Sequence, residues 1–238
     1  MKLIGLKKEG VRGVVQFYGC QLRCGYCTHI RQPFKERSVE EVVEFLADPT
    51  IGEIYLGGAE PSVQRKELED LLGRFAGMHK KVVLKTNGAD PELISRTMGL
   101  VDLHVIEIKC PLDDIECYSS MSGMSRERTI KYLNSLRRSI GILKGRPLRV
   151  WIRIVPGMVT TDSIARLGAD MEGAATEVHL YQFLSNPEND APFMGIESVG
   201  PGQDEMMAMA ETMLRFVPRV VVLGKGFKAE LEAPPSPL

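Results

Sequence analysis

No stretch of apolar residues in this 238-residue sequence approaches the eighteen or so needed to cross a bilayer. The opening MKLIGLKKEG also lacks the long apolar core of a signal peptide. The expected location is therefore the cytoplasm. Charge of one sign is missing too. The formal net charge is -1, which gives no electrostatic case for nucleic acid or an anionic membrane as a partner. There is no low-complexity block and no obvious linker. At 44% hydrophobic and 26% charged residues, the composition is that of an ordinary globular protein, and 238 residues can bury a core without disulfides.

Cysteine is scarce, with five residues, and the odd number makes a poor disulfide framework. Three of the five fall within eight positions: Cys20-Gln21-Leu22-Arg23-Cys24-Gly25-Tyr26-Cys27. Thiolates are soft ligands that suit iron–sulfur or zinc. A full set for either centre is four, and no fourth cysteine lies nearby. Three ligands on a four-iron cube leave one iron open to a substrate or cofactor. The competing reading is a zinc site completed by His29. Cys110 and Cys117, the remaining pair, read as ordinary packing or surface thiols.

Along the chain, β-rich runs alternate with helical patterns. Strands are predicted at 13–19, 52–58, 81–88, 103–109, 148–155 and 177–183, with a last one at 219–224. Ser38, with Glu41 three positions on, has the form of a capping box. A helix over 64–76 places Leu68, Leu71, Leu72 and Phe75 on one face. Asp90-Pro91, Ser125 and Asp162 mark further helix starts, and 203–216 is a Met-rich helix read as packing on the sheet. About seven strands separated by helices imply a parallel sheet with right-handed crossovers. Its ligand site lies at the C-terminal strand ends, where the cysteine run falls. Residues 1–232 read as a single domain and 233–238 as a disordered tail.

The cysteine run is CxxxCxxC after a first strand, with Tyr26 before the last cysteine, and it resembles the hallmark of the radical S-adenosylmethionine (SAM) superfamily. Gly57-Gly58-Ala59-Glu60-Pro61 resembles that family's GGEP motif, which contacts the methionyl amine, with Ala59 as a departure. The likeness extends to the activating enzymes of glycyl radical enzymes, those for pyruvate formate-lyase and anaerobic ribonucleotide reductase, over about residues 13–184. Thr86-Asn87-Gly88 looks like the subgroup's DTNG, and Glu107-Ile108-Lys109 like its D-x-K, whose lysine approaches the SAM carboxylate. Arg153 with Val155-Pro156-Gly157 looks like R-x-x-VPG, and Tyr181-Gln182 occupies a sixth-strand edge that also contacts SAM.

The resemblance implies an α/β fold, a partial (β/α)6-type radical SAM barrel of parallel strands with helices outside. It implies a [4Fe–4S] cluster on Cys20, Cys24 and Cys27. It also implies S-adenosyl-L-methionine held by Tyr26, Gly57, Gly58, Glu60, Thr86, Asn87, Glu107, Lys109, Arg153, Tyr181 and Gln182. The implied reaction is reductive cleavage of SAM to a 5′-deoxyadenosyl radical that installs a glycyl radical on a partner enzyme, with flavodoxin or ferredoxin as electron donor. Two alternatives carry less of the pattern. One is an enzyme resembling 7-carboxy-7-deazaguanine synthase, whose Asp-Thr after the last cysteine is Thr28-His29 here. The other is a non-enzymatic metal-binding module. In activases of the pyruvate formate-lyase type, the aspartates of DTNG and D-x-K help bind a monovalent cation. Lys85 and Glu107 stand there in this chain, so Lys85 is expected to replace the ion and pair with Glu107.

Overall fold

A computed structural model of the chain describes residues 1–183 and 200–234. Among these, ten strands form one sheet. Its heart is seven parallel strands: β2 (Arg12–Phe17), β4 (Glu53–Gly58), β5 (Lys81–Thr86), β6 (Leu103–Ile108), β7 (Leu148–Ile154), β8 (Glu177–Gln182) and β9 (Arg219–Gly224). β1 (Lys2–Glu9) pairs antiparallel with β2, and the short β3 (Lys35–Glu36) pairs with β1. β10 (Phe227–Glu232) closes the opposite edge as an antiparallel hairpin partner of β9. The spatial order is β10-β9-β8-β7-β6-β5-β4-β2-β1-β3, an open sheet with β10 and β3 at its edges.

Three of these strands depart from the expectation of about seven. β1 escaped because it is mostly half-exposed, with Leu3 its only buried residue, so it prints no clear period of two. β3 is two residues long, and β10 follows β9 after a tight turn at Gly226, φ +82°. The predicted tail begins at Ala233, whose N–H donates to the Pro218 carbonyl, while residues 235–238 lie outside the described residues.

The parallel strands are not continuously apolar. In β7, Leu148, Val150, Ile152 and Ile154 are buried, and Arg149, Trp151 and Arg153 between them are half-exposed. Strands buried on both faces read as near-continuous apolar runs, so this alternation marks one face as a wet, charged surface. The other face carries the helices and the core.

The helices are α1 (Val39–Leu46), α2 (Arg65–Phe75), α3 (Pro91–Thr97), α4 (Ile115–Ser122), α5 (Arg126–Ile142), α6 (Thr161–Met171) and α7 (Gln203–Met213). The Ser38–Glu41 capping box forms at α1, and Leu68, Leu71, Leu72 and Phe75 of α2 are buried as expected. The helix expected at Asp162 starts one residue earlier, because Thr160 is its cap. α4 was not foreseen from the sequence. Met206, Met209 and Met213 of α7 face the core. No helix among the described residues is long and apolar enough to cross a membrane.

His104 of β6 is buried at 2% exposure, and its Nε2 has no hydrogen-bond partner. Burial, reinforced by Arg146, pulls its pKa down to about 4. Between about pH 6.5 and that value the unfolded chain takes up a proton that the folded chain does not. Stability is therefore unaffected above about pH 6.5 and declines by about 2 kcal/mol on going from pH 7 to 4.5. Urea unfolding of the wild type and of His104→Phe at both pH values checks this. The variant should lose that part of the acid sensitivity.

Candidate active site

The cysteine run leaves β2 through Tyr18 and Gly19, the latter at φ +96°. Within it, the Cys27 N–H donates to the Cys24 carbonyl at 3.0 Å, and the Leu22 N–H donates to the Cys20 sulfur at 3.4 Å. The Arg23 guanidinium folds back onto the Cys20 and Leu22 carbonyls at 2.6 and 3.1 Å. The loop is seated on the end of α4, where the Arg23 N–H donates to the Ser122 carbonyl at 2.8 Å. Gly123 follows at φ +66°, and a Cβ there would lie 2.8 Å from the Arg23 carbonyl oxygen. Only glycine meets both requirements.

The ends of β4 and β5 meet beside this loop. Gly58 has φ +97°, and a Cβ on it would come within 2.8 Å of the Phe17 backbone, so glycine is required here too. Glu60 is 1% exposed. Its Oε1 accepts from Thr86 Oγ1 at 2.8 Å and from the Ser62 N–H at 3.0 Å, and its Oε2 accepts from the Asn87 N–H at 2.6 Å. Burial pushes this carboxyl up, and the hydrogen bonds pull against it. The Asn87 side chain in turn accepts from Gln21 Nε2 at 3.1 Å and points its amide at the Cys20 sulfur, 3.8 Å away.

Across the cavity, Glu107 is clamped between two lysines. Lys85 Nζ lies 2.9 Å from its Oε2 and Lys109 Nζ 3.3 Å from its Oε1, with side-chain exposures of 19%, 5% and 16% for Lys85, Lys109 and Glu107. The Tyr26 hydroxyl accepts from Lys109 at 3.1 Å and faces Glu107 at 3.4 Å. Lys109 and Arg153 both stand over the Tyr26 ring, 5.6 and 5.3 Å from its centroid. Burial alone would raise the Glu107 carboxyl, but Lys109, Lys85 and Arg153 hold it well below the usual carboxylate range. Burial likewise disfavours the Lys109 ammonium, and Glu107 outweighs it. The expected Lys85–Glu107 pair thus forms, and Lys85 also sits 5.0 Å over the Trp151 ring. Three cations face one carboxylate, which leaves an excess of positive charge for an anionic ligand group.

One cavity collects Cys20, Cys24, Cys27, Tyr26, Gly58, Glu60, Thr86, Asn87, Glu107, Lys109 and Arg153 of the expected set, together with Lys85 and His29. Three of the expected residues do not line it. A Cβ on Gly57 would fall 2.7 Å from the Tyr55 ring, and Tyr181 lines a neighbouring cleft with Trp151 and Arg153. The Gln182 side chain is spent on the Pro201 carbonyl and the Lys225 N–H, at 2.8 and 2.7 Å. Its position in the sixth strand was legible, but not the hairpin that captures it. The loop 184–199, with Asn186 and Asn189, lies outside the described residues.

A further expectation is corrected. Cys110 and Cys117 are joined in a disulfide that ties the end of β6 to the first turn of α4. The helix, unforeseen from the sequence, is what brings them together. They do not act as independent thiols, and Cys20, Cys24 and Cys27 are the free cysteines.

Residues 14–157 match the radical SAM superfamily. The chain belongs to that superfamily. Its cofactors are accordingly a [4Fe–4S] cluster and SAM. The chain is similar to the pyruvate formate-lyase 1-activating enzyme of Escherichia coli, 28% identical over 232 residues that cover 86% of this chain and 89% of the relative. It is also 28% identical to 7-carboxy-7-deazaguanine synthase of Methanothermobacter thermautotrophicus, over 73% of this chain and 69% of that one. In fold it is similar to TYW1 with a lysine–pyruvate adduct bound, with a TM-score of 0.63 at 14% identity, over 94% of this chain and 80% of the other.

The residues present fit these cofactors. Among the described residues, no three His, Cys, Asp or Glu side chains converge to hold a single metal ion, yet three thiols face one cavity. Three free thiols on one cavity are the donor set that would hold an iron–sulfur cluster. Burial pushes the Cys20 thiol up to about 12, so a cationic centre is what would hold it as a thiolate.

The Lys85–Glu107 pair generates a prediction. If the tethered ammonium stands in for a dissolved cation, SAM cleavage should be the same in sodium, potassium or large organic cations at constant ionic strength. Lys85→Asp should introduce a cation requirement. A wild-type requirement for one particular monovalent ion would show that Lys85 is not its substitute.

Proposed function

We propose that this radical SAM domain, spanning residues 1–232, is a glycyl radical enzyme activating enzyme, its substrate a glycine residue of a partner protein. The observation that carries this reading is the similarity to a pyruvate formate-lyase activating enzyme across nearly the full length of both chains. Pairing of Cys110 with Cys117 supports it, since it leaves no free cysteines for a second cluster.

In this reading Cys20, Cys24 and Cys27 ligate the cluster. Lys109, with Arg153 and Lys85 behind it, receives the SAM carboxylate, and the backbone at Gly58–Ala59, which lines the cavity, receives its amine. Glu60 is a positioning residue. Its carboxylate is saturated by Ser62, Thr86 and Asn87, and it holds the β4 and β5 loops in register with the cysteine loop. Tyr26 steers Lys109 through its hydroxyl. The bound cluster and SAM supply the radical chemistry, reductive cleavage of the sulfonium and abstraction of a hydrogen atom from the substrate. The protein supplies orientation and exclusion of water. Trp151 and Tyr181, with ring centroids 5.1 Å apart, wall the cleft beside the cavity where a substrate segment would lie. An electron donor of the flavodoxin or ferredoxin type completes the system.

A second reading, action on a small molecule, draws on the similarity to 7-carboxy-7-deazaguanine synthase. Thr28-His29 stands against it, because those enzymes carry Asp-Thr there.

Replacing Cys20, Cys24 or Cys27 by Ala should abolish cluster binding and lower 5′-deoxyadenosine formation to background. Retained formation in Cys24→Ala would overturn the assignment. The Cys110→Ser, Cys117→Ser double variant should keep its iron and sulfide content.

The activase reading itself predicts a glycyl radical signal by electron paramagnetic resonance when the reduced protein and SAM meet a cognate partner. It also predicts slow 5′-deoxyadenosine formation without one. Fast turnover with a pterin-like compound would instead establish the second reading.

A further inference from the structure

An exposed apolar patch adjoins the cysteine loop. Phe34 and Val63 are 39% and 44% exposed. Phe34 packs on Tyr18 with ring centroids 4.5 Å apart, and the Lys2 ammonium stands 4.9 Å from the Phe34 centroid. Val63 lies over Gly19, where an added Cβ would fall 3.2 Å from its Cγ2. Tyr18 and Gly19 run directly into Cys20. The patch is therefore continuous with the backbone that carries the first cysteine of the cluster site.

The same stretch is basic in a chain whose net charge is -1. Between residues 20 and 37, Arg23, Arg31, Lys35 and Arg37 stand against the single acid Glu36, and all five are exposed. Arg37 is paired with Glu41. Lys2 and Lys35 make no ion pair among the described residues, although Glu36 is the register partner of Lys2 across β1 and β3. An exposed aromatic side chain with the Lys2 ammonium over it and Lys35 next to it in the chain is the composition of a small, transient docking surface, with the charges steering encounter and the apolar centre holding it.

We propose that this face docks an acidic one-electron carrier protein and is the entry point for the electron that reduces the cluster. The carrier loses one electron and the cluster gains it, and no bond in this chain is made or broken. The inference rests on the cluster's position at Cys20, Cys24 and Cys27, not on the identity of the substrate.

The test uses the anaerobic holoenzyme without SAM. Cluster reduction by a flavodoxin hydroquinone is followed by stopped-flow absorbance, beside reduction by photoexcited deazaflavin, a small reductant that needs no docking surface. The Lys2→Glu, Lys35→Glu variant should lower the second-order rate with flavodoxin about tenfold and flatten its dependence on ionic strength. The Phe34→Ser, Val63→Ser variant should weaken flavodoxin binding, read by thermophoresis, about tenfold. Reduction by deazaflavin should be unchanged in both variants. Three results would overturn the proposal: unchanged flavodoxin rates and affinities; a parallel fall with deazaflavin, which would make the patch a support for the cysteine loop; or weakened binding of a glycyl radical enzyme with flavodoxin unaffected, which would make it the substrate's surface. Deazaflavin-driven SAM cleavage in the same variants separates any failure of this proposal from failure of the cluster assignment.

Discussion

The buried carboxylate of Glu60 is the tie on which the geometry of the site depends. A charged group at 1% exposure is tolerable only when hydrogen bonds replace its water, and Glu60 has three donors, from Ser62, Thr86 and Asn87. Those donors belong to the loops after β4 and β5. Asn87 then reaches the cysteine loop after β2 through Gln21 and the Cys20 sulfur. Three loops from three strands are thereby held as one unit. The far side of the cysteine loop is held by α4, through Ser122 and the close approach that Gly123 permits.

The opposite wall follows a different rule. There the charges are not saturated: Lys85, Lys109 and Arg153 surround Glu107 alone. A mostly buried pair of this kind is a weak source of stability, because desolvation offsets attraction. What the arrangement does provide is fixed positive charge on one wall of the cavity, set in place by the fold itself. One wall is thus saturated with hydrogen bonds and the other carries uncompensated positive charge.

The alternation in β7 and β8 has the same origin. A parallel sheet covered by helices on both faces would have apolar residues at Arg149, Trp151, Arg153 and Tyr181. Here the helices take one face, and the other is left for charged and aromatic side chains that can meet a ligand. The disulfide between Cys110 and Cys117 sits at the junction of these two worlds, next to Lys109 on one side and at the start of the helix that seats the cysteine loop on the other.

The order of strands and helices was legible in the sequence, because period-two and period-3.6 patterns are local properties. The cysteine spacing is local in the same sense, and so is the Ser38 cap. The motif residues at strand ends are named from their resemblance to the radical SAM family, once the local pattern has placed the strands. Strands β1 and β3 could not be read, since a largely exposed or two-residue strand has no buried face to impose a pattern. The pairing of Lys85 with Glu107 was readable because the two end neighbouring strands; the register sets Lys85 opposite Val105, so the ammonium reaches diagonally to Glu107, two residues on and on the same face. Only the tertiary structure decided what Glu60 and Gln182 hold, and that Cys110 meets Cys117. A side chain's hydrogen-bond partner depends on which backbone folds against it, and residues 60 and 87, or 182 and 225, become neighbours only once the sheet has formed.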